Sequence, residues 1–277
     1  MTGYEQIVKE YKSYPEPQKC GIRCKFDGVS GQYPLHKHDY IEIEYLIQGK
    51  TEHELNGVES IMEPGDFVCL SQQDLHRFRV IEPVQLRNIG IDYSCAPPAV
   101  RQMLQKLSFP MTGKINADTI AQLESWFVTL INLAGSDEAY CEEKITAYTL
   151  LLLSSILENS DKKPPKKLSG GYRYVSSAMD YIACHYGEDI TLDDVAGAVS
   201  LSAGHFSKLF SKINGMSFSS YLTLTRIEKA QAALAETDKS ITEIAFECGF
   251  GSFSTFSRSF RKLCGCTPGS YRNNCRK

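Results

Sequence analysis

TLDDVAGAVSLSAGHFSKLFSKI (residues 191–213) and SITEIAFECGFGSFSTFSRSFRKL (residues 240–263) are two passes of one pattern. Each opens as a capping box, Thr191 with Asp194 and Ser240 with Glu243: a hydroxyl accepts from the third backbone N–H while the acid reaches back to the cap's own N–H. Each then carries a small residue, Ala196 or Ala245, where a second helix must come close. Each breaks, at Ser200-Leu201 or Gly249-Phe250, and restarts on a serine cap, Ser202 or Ser252. In the second helix Phe206, Leu209, Phe210 and Ile213 recur at i, i+3, i+4, i+7, and Phe256, Phe260 and Leu263 at i, i+4, i+7, one stripe to bury. The opposite stripes are Gly204, Ser207, Lys208, Ser211 and Ser254, Ser257, Arg258, Arg261, with a cation at the same place in each. Small hydroxyl side chains let a helix lie deep in a groove ~12 Å wide, while Lys and Arg reach base edges or phosphates. A solvated face on a helical bundle explains one such helix; a duplicated cap, turn and stripe favours two helix-turn-helix units.

Further motifs flank these units: YLTLTRIEKAQAAL (221–234), SITEIAFECGF (240–250), FSRSFRK (256–262) and GCTPGSYR (265–272). With them, residues 190–273 resemble the DNA-binding domain of the AraC/XylS family of bacterial transcription regulators. The resemblance implies two subdomains joined by a long helix, here about residues 218–235. It also implies recognition helices that enter successive major-groove segments roughly one turn, ~34 Å, apart. The sequence departs from the family at Ser200, where the usual residue is glycine, and at Gly204, where members often carry a larger base-contacting side chain; the first unit is expected to read bases less directly than the second. Lys212, Arg261, Lys262 and Arg272 are expected on phosphates, where they orient the domain and set its salt dependence.

Charge agrees in direction. The chain of 277 residues carries a net −3, but residues 172–277 hold 12 Lys and Arg against 10 Asp and Glu, and six basic residues and no acid lie beyond Glu247. Such segregation suggests that the C-terminal end meets a polyanion. No apolar run approaches the ~20 residues that span a bilayer, and residues 1–10 lack a secretory signal; a cytoplasmic protein with no membrane contact is expected. The ten cysteines, irregularly spaced, with close groupings only at Cys20/Cys24 and Cys264/Cys266/Cys275, read as reduced thiols that serve as small packing residues.

The first half reads as β-structure. Ile41, Ile43, Tyr45 and Ile47 alternate with Glu42, Glu44 and Gln48. Asn56-Gly57 predicts a two-residue hairpin between 51–55 and 58–62, because both residues tolerate positive φ. Glu63-Pro64-Gly65-Asp66 is a further turn before 67–70, and 76–80 and 84–91 are strand-like. Short strands with regular turns predict a small antiparallel barrel or jelly roll. Helical spacing then covers 99–107, 118–133 and 142–157, with Trp126 as helix core. Residues 160–171 (SDKKPPKKLSGG) have no apolar periodicity and read as a linker. The expected fold class is α+β in two domains: a cupin-like barrel with trailing helices over 1–159, a linker over 160–171, and an all-α double helix-turn-helix domain over 172–277.

His36-x-His38-x3-Glu42, with Gly49 beyond, resembles the first motif of the cupin barrel, and Pro64-Gly65-Asp66 followed by His76 resembles the second. His36, His38 and Glu42 share one parity and point to one side of a strand. Three imidazoles and a carboxylate could hold Fe, Mn, Ni or Zn; Gln72-Gln73-Asp74 in place of Pro-x-Gly departs from the pattern at His76. The favoured expectation is no resident cofactor but a partly polar pocket for a small organic effector, such as a sugar. It would be lined by His36, His38, Tyr40, Glu42, His76 and Arg77, with Tyr33, Tyr40 and Tyr45 as stacking faces.

The function expected is therefore sequence-specific binding of an operator in double-stranded DNA, controlled by an effector in the barrel and with no catalytic residues. Homodimerisation through 118–133 and 142–157, and contact with RNA polymerase if the protein activates, complete it. The alternatives are a metal-dependent cupin enzyme fused to a DNA-binding domain, and an architectural DNA binder without a ligand.

Overall fold

The computed structural model describes residues 18–29, 34–161, 168 and 170–275. They fall in two compact units that part between Leu168 and Ser169.

In the first unit β1 (Gln18–Lys19), β2 (Ile22–Val29), β3 (Ile41–Leu55), β4 (Val58–Met62), β5 (Asp66–Leu70), β6 (His76–Ile91) and β7 (Met111–Lys114) form one antiparallel sheet. Its order is β1-β2-β6-β3-β5-β7, with β4 also paired to β3. The runs 41–47 and 51–55 are one strand, and so are 76–80 and 84–91; the two ladder together from Ile41↔Ile91 to Leu55↔His76. Register shifts between Leu46 and Thr51 interrupt that ladder. There Gly49 has φ +89°, and a Cβ on it would lie 2.1 Å from the Pro83 carbonyl oxygen. Pro83 has no N–H to give the ladder, so a bulge opposite it is the way the two strands stay paired.

The bulge also changes which residues face inward. Before it, Ile41, Ile43 and Tyr45 pack outward, with Phe67, Cys69, Ile89 and Ile91, against α2 (Ala117–Ala134) and α3 (Cys141–Glu158), through Leu123, Phe127, Leu130, Leu152, Leu153 and Ile156. The alternate residues line the inner face, where Leu46, Leu55, Met62, Val68, Leu70, Phe78, Val84 and Leu86 meet from both halves of the sheet. The sheet is thus curled on itself, as the cupin-like expectation required. Two of the three polar residues of the alternation do not face water, Glu42 at 1% and Glu44 at 4% exposed, while Gln48, at the bulge, is exposed. A sheet with both faces covered puts its polar series inside. The hairpin forms as expected, with Asn56 at φ 51° and Gly57 at φ 82° joining β3 to β4. A short helix, α1 (Pro98–Leu104), stops before Leu107, and Trp126 packs against the helix core.

Six of the residues read as linker, 162–167, and Ser169 lie outside the described residues. Of the remainder, Ser160 bridges to Gly113, the Asp161 N–H donates to Thr112 O at 2.8 Å, and Gly171 already opens a helix.

The second unit is helical: α4 (Gly171–His185), α5 (Leu192–Ala198), α6 (Ala203–Asn214), α7 (Phe218–Glu236), α8 (Ile241–Glu247), α9 (Phe253–Cys264) and α10 (Pro268–Cys275). α7 is the long joining helix; its Ile227, Ala230 and Leu234 share a core with Ile244, Ala245, Phe256, Phe260, Leu263 and Tyr271. α4, for which the sequence carried no reading, buries Val175, Ala178, Met179 and Ile182. None of the ten cysteines is in a disulfide.

Candidate nucleic-acid interface and histidine cluster

The two helix-turn-helix units are built by the same local bonds. Asp194 N donates to Thr191 Oγ1 at 3.3 Å and Thr191 N to Asp194 Oδ2 at 2.8 Å; the Glu243 and Ser240 pair repeats this at 3.1 and 2.8 Å. Both turns close alike, Leu201 N on Ala196 O at 2.9 Å and Phe250 N on Ala245 O at 3.1 Å. The residue at the corner is left-handed in each: Gly249 at φ 80° and Ser200 at φ 59°. Glycine takes that conformation freely and serine does not, so the departure at Ser200 is a strained position in the same turn. Ser202 and Ser252 then cap α6 and α9.

On both recognition helices the phenylalanines of the predicted inner stripe are buried, Phe206 and Phe210 in α6 and Phe256 and Phe260 in α9, all 0% exposed; Ile213 and Leu263 are buried with them, and Leu209 is half-buried. Gly204, Lys208 and Lys212 are exposed on α6, and Ser254, Arg258, Arg261 and Lys262 on α9, with Ser207, Ser211 and Ser257 half-buried beside them. Among the described residues Lys208, Lys212, Arg258 and Arg261 have no ion pair or side-chain hydrogen bond, although cation pairs form elsewhere in the unit, as between Lys239 and Glu247. Arg272 differs. Its Nη2 donates to Lys239 O at 2.6 Å and its Nε to Leu234 O at 3.4 Å, so it ties α10 to the chain leaving α7 and has only a secondary claim on phosphate. Arg226 does the same for the end of α4, donating to Tyr186 O at 2.8 Å and Glu188 O at 2.7 Å. Phe253, 41% exposed at the start of α9, was not singled out from the sequence.

In the first unit the sequence-selected histidines do meet. The His36 and His76 backbones exchange both N–H···O bonds, at 2.9 and 3.0 Å. Asp74 anchors the loop before His76 by accepting from Ser71 N, Ser71 Oγ and Asn56 Nδ2 at 2.8, 2.6 and 2.8 Å. That network takes the place of the missing Pro-x-Gly, which is why the departure there does not displace His76. His38 Nε2 lies 3.2 Å from His76 Nε2, and Glu42 Oε2 lies 3.0 Å from the first and 3.1 Å from the second. The His36 ring centroid is 4.2 Å from that of His76, and Tyr40 lies at the edge, 4.6 Å from the His38 ring.

Two expected members are elsewhere. Arg77 follows His76 on β6 and therefore faces the other way; its Nε donates to Glu54 Oε2 at 2.7 Å. Tyr45 is on the helix-covered face, its hydroxyl donating to Glu124 Oε1 at 3.0 Å. Tyr33 lies outside the described residues. Three unexpected members join: His53 Nε2 is 3.3 Å from His76 Nδ1, Glu44 Oε2 is 3.9 Å from the same nitrogen, and Asn88 Nδ2 donates to Glu42 Oε1 at 2.6 Å and Glu44 Oε1 at 3.2 Å. Burial pushes His53 down to about 3, helped by neighbouring His76, and lowers His36 and His76 as well. Burial alone would raise Glu42, but the His38 and His76 rings beside it hold its carboxyl well below the usual carboxylate range.

Residues 19–152 match the family described as AraC-like ligand binding domain, and residues 195–274 a helix-turn-helix domain. The transcriptional activator RhaS of Klebsiella pneumoniae is 27% identical over 255 residues, which cover 87% of each chain, and that of an Enterobacter species is 24% identical over 251 residues, again 87% of each. Among solved structures, ToxT from Vibrio cholerae aligns over 92% of this chain and 98% of its own, at 13% identity and a TM-score of 0.49. With a ligand-binding family matched over its curled sheet and a helix-turn-helix family over its capped helices, in that order, the chain belongs to the AraC/XylS family of DNA-binding transcription regulators.

Proposed function

We propose that the chain binds an operator through α6 and α9 and alters transcription there when a small molecule occupies the curled sheet. What carries the reading is the pair of equivalent ridges: Lys208 and Arg258 exposed and without partners among the described residues, over phenylalanines that are 0% exposed. Cations held away from the protein's own acids are placed for an external polyanion. Arg258, Ser254 and Ser257 read base edges, Lys208, Ser207 and Ser211 support them from the weaker first unit, where Gly204 lets the backbone approach, and Lys212, Arg261 and Lys262 fix phosphates.

The effector is a small polar molecule, such as a sugar, that meets the half-buried His36, His38 and Tyr40. Val128 on α2 and Leu151 on α3 are 45% and 44% exposed, which supports a homodimer through these helices. The relatives named as activators support activation through RNA polymerase and a regulator rather than an enzyme. No helix is long and apolar enough to cross a membrane, and the cytoplasm, where the operator lies, is the proposed location. Selection of the full chain against random duplexes tests the core of this. Enriched sequences should contain two conserved blocks about one helical turn apart, and failure to enrich any sequence at low salt would overturn it.

A further inference from the structure

The histidine cluster has a geometry that hydrogen bonding does not explain. Glu42 Oε2 is buried and lacks a hydrogen bond, although two imidazole nitrogens lie 3.0 and 3.1 Å away; neither presents an N–H along the line to it. The third edge of the triangle, between His38 Nε2 and His76 Nε2, is 3.2 Å. Edges of that length put the centre of the triangle about 1.8 Å from each corner, so an ion with bonds of ~2.0–2.1 Å would sit about 1 Å above the plane.

The outer contacts set the lone pairs to match. His36 Nδ1 lies 2.9 Å from Pro34 O; a carbonyl only accepts, so that nitrogen carries the proton and leaves the lone pair on Nε2. His36, His38 and His76 each bring a ring nitrogen within 4.8 Å of the others. His76 Nδ1 faces His53 Nε2 at 3.3 Å, so donation in that direction leaves His76 Nε2 with its lone pair toward the triangle. Asn88 holds the other oxygen of Glu42. Fixing a ligand histidine through its second nitrogen is how outer contacts orient metal ligands. A carboxylate that is 1% exposed also calls for a positively charged partner.

We propose that the first unit holds one divalent first-row transition metal ion on His36, His38, Glu42 and His76, with His53, which lies outside the sequence motif, as the positioning residue that sets the tautomer of His76. Three imidazoles and one carboxylate favour zinc, nickel or iron(II) over magnesium or calcium. The ion deepens the reading of this unit as a ligand-binding domain, because an oxygen-bearing effector would enter its coordination shell from the side of His36, His38 and Tyr40. Metal binding is measured without effector or operator, so the two readings fail separately.

The full chain, stripped with chelator under reducing conditions, is titrated with Ni(II) by calorimetry, and with Co(II) for its visible ligand-field bands. One ion per chain should bind, and His38→Gln with Glu42→Gln together should abolish that event while far-UV circular dichroism stays the same. His53→Phe should weaken binding ten- to hundredfold, and His53→Gln, which restores an acceptor, should recover part of it. Absence of a one-to-one event in the unaltered chain would overturn the proposal. So would an event that survives the double substitution, which would belong to the thiols. Unchanged affinity in His53→Phe would overturn the positioning role.

Discussion

Arg258 and Arg272 both read as DNA contacts in the sequence, and truncating each separates operator binding from folding. Arg258 is exposed on α9 and has no partner among the described residues, so Arg258→Ala should leave stability within ~0.5 kcal/mol. Lost from a guanine edge it should cost ~1–3 kcal/mol of binding, a factor of about 5–160 in Kd, and relax preference at one base pair. Arg272→Ala removes the donors to Lys239 O and Leu234 O, the second of them long at 3.4 Å. With the side chain partly in water, that loss should cost ~1–2 kcal/mol of stability, and a unit of this size should melt about 4–8 °C lower for each kcal/mol. Thermal melts and fluorescence anisotropy on a selected operator, at one salt concentration, measure both quantities for both variants. Two results would refute the reasoning: Arg258→Ala with unchanged affinity and specificity, or Arg272→Ala with an unchanged melting temperature and a large loss of affinity.

Two further outcomes follow from strain and burial. Ser200→Gly relieves a left-handed serine at φ 59° and should raise the unfolding free energy of the helical unit by ~1 kcal/mol; a lower denaturant midpoint would show that the serine hydroxyl holds the turn. His53, pushed down to about 3 from 6.5, is uncharged in the folded chain and mostly uncharged in the unfolded chain at pH 7, so it contributes little to the pH dependence there. Below pH ~6.5 the unfolded chain takes up the proton first, so stability should fall by ~1.4 kcal/mol per pH unit until the folded value is reached. The lowered His36 and His76 act in the same direction. Chemical denaturation of the first unit in chelator at pH 7.0 and 5.5 reads this directly, and equal stability at the two values would contradict neutral burial.

The helical unit was largely legible because its signals are local. A cap, a turn and a stripe at i, i+4, i+7 act within a few residues of one another, and the duplication of Thr191 through Ile213 in Ser240 through Leu263 gave each signal a second instance. α4 escaped because its stripe, Val175 to Ile182, follows a run of Lys, Pro and Gly that reads as linker. In the first unit the hairpin at Asn56-Gly57 was legible for the same local reason, a turn type. The motif spacing picked out His36, His38 and Glu42, but β3 begins only at Ile41, so the two histidines precede the strand and meet Glu42 through the pairing of His36 with His76 rather than through strand parity.

Tertiary structure decided the rest. The bulge opposite Pro83 resets parity along β3, so His53 turns inward though the motif ends at Glu42, and one step along β6 separates His76 inside from Arg77 outside. Tyr45 and Arg272 found partners 79 and 33 residues away, and no periodicity records such distances. The sequence by itself determined which segments would be helices and strands and which faces they would offer, since those depend on contacts a turn or a hairpin apart. Which polar atoms were left for DNA or ligand depended on ladder register and on carbonyls brought from distant segments, and only the folded chain sets those.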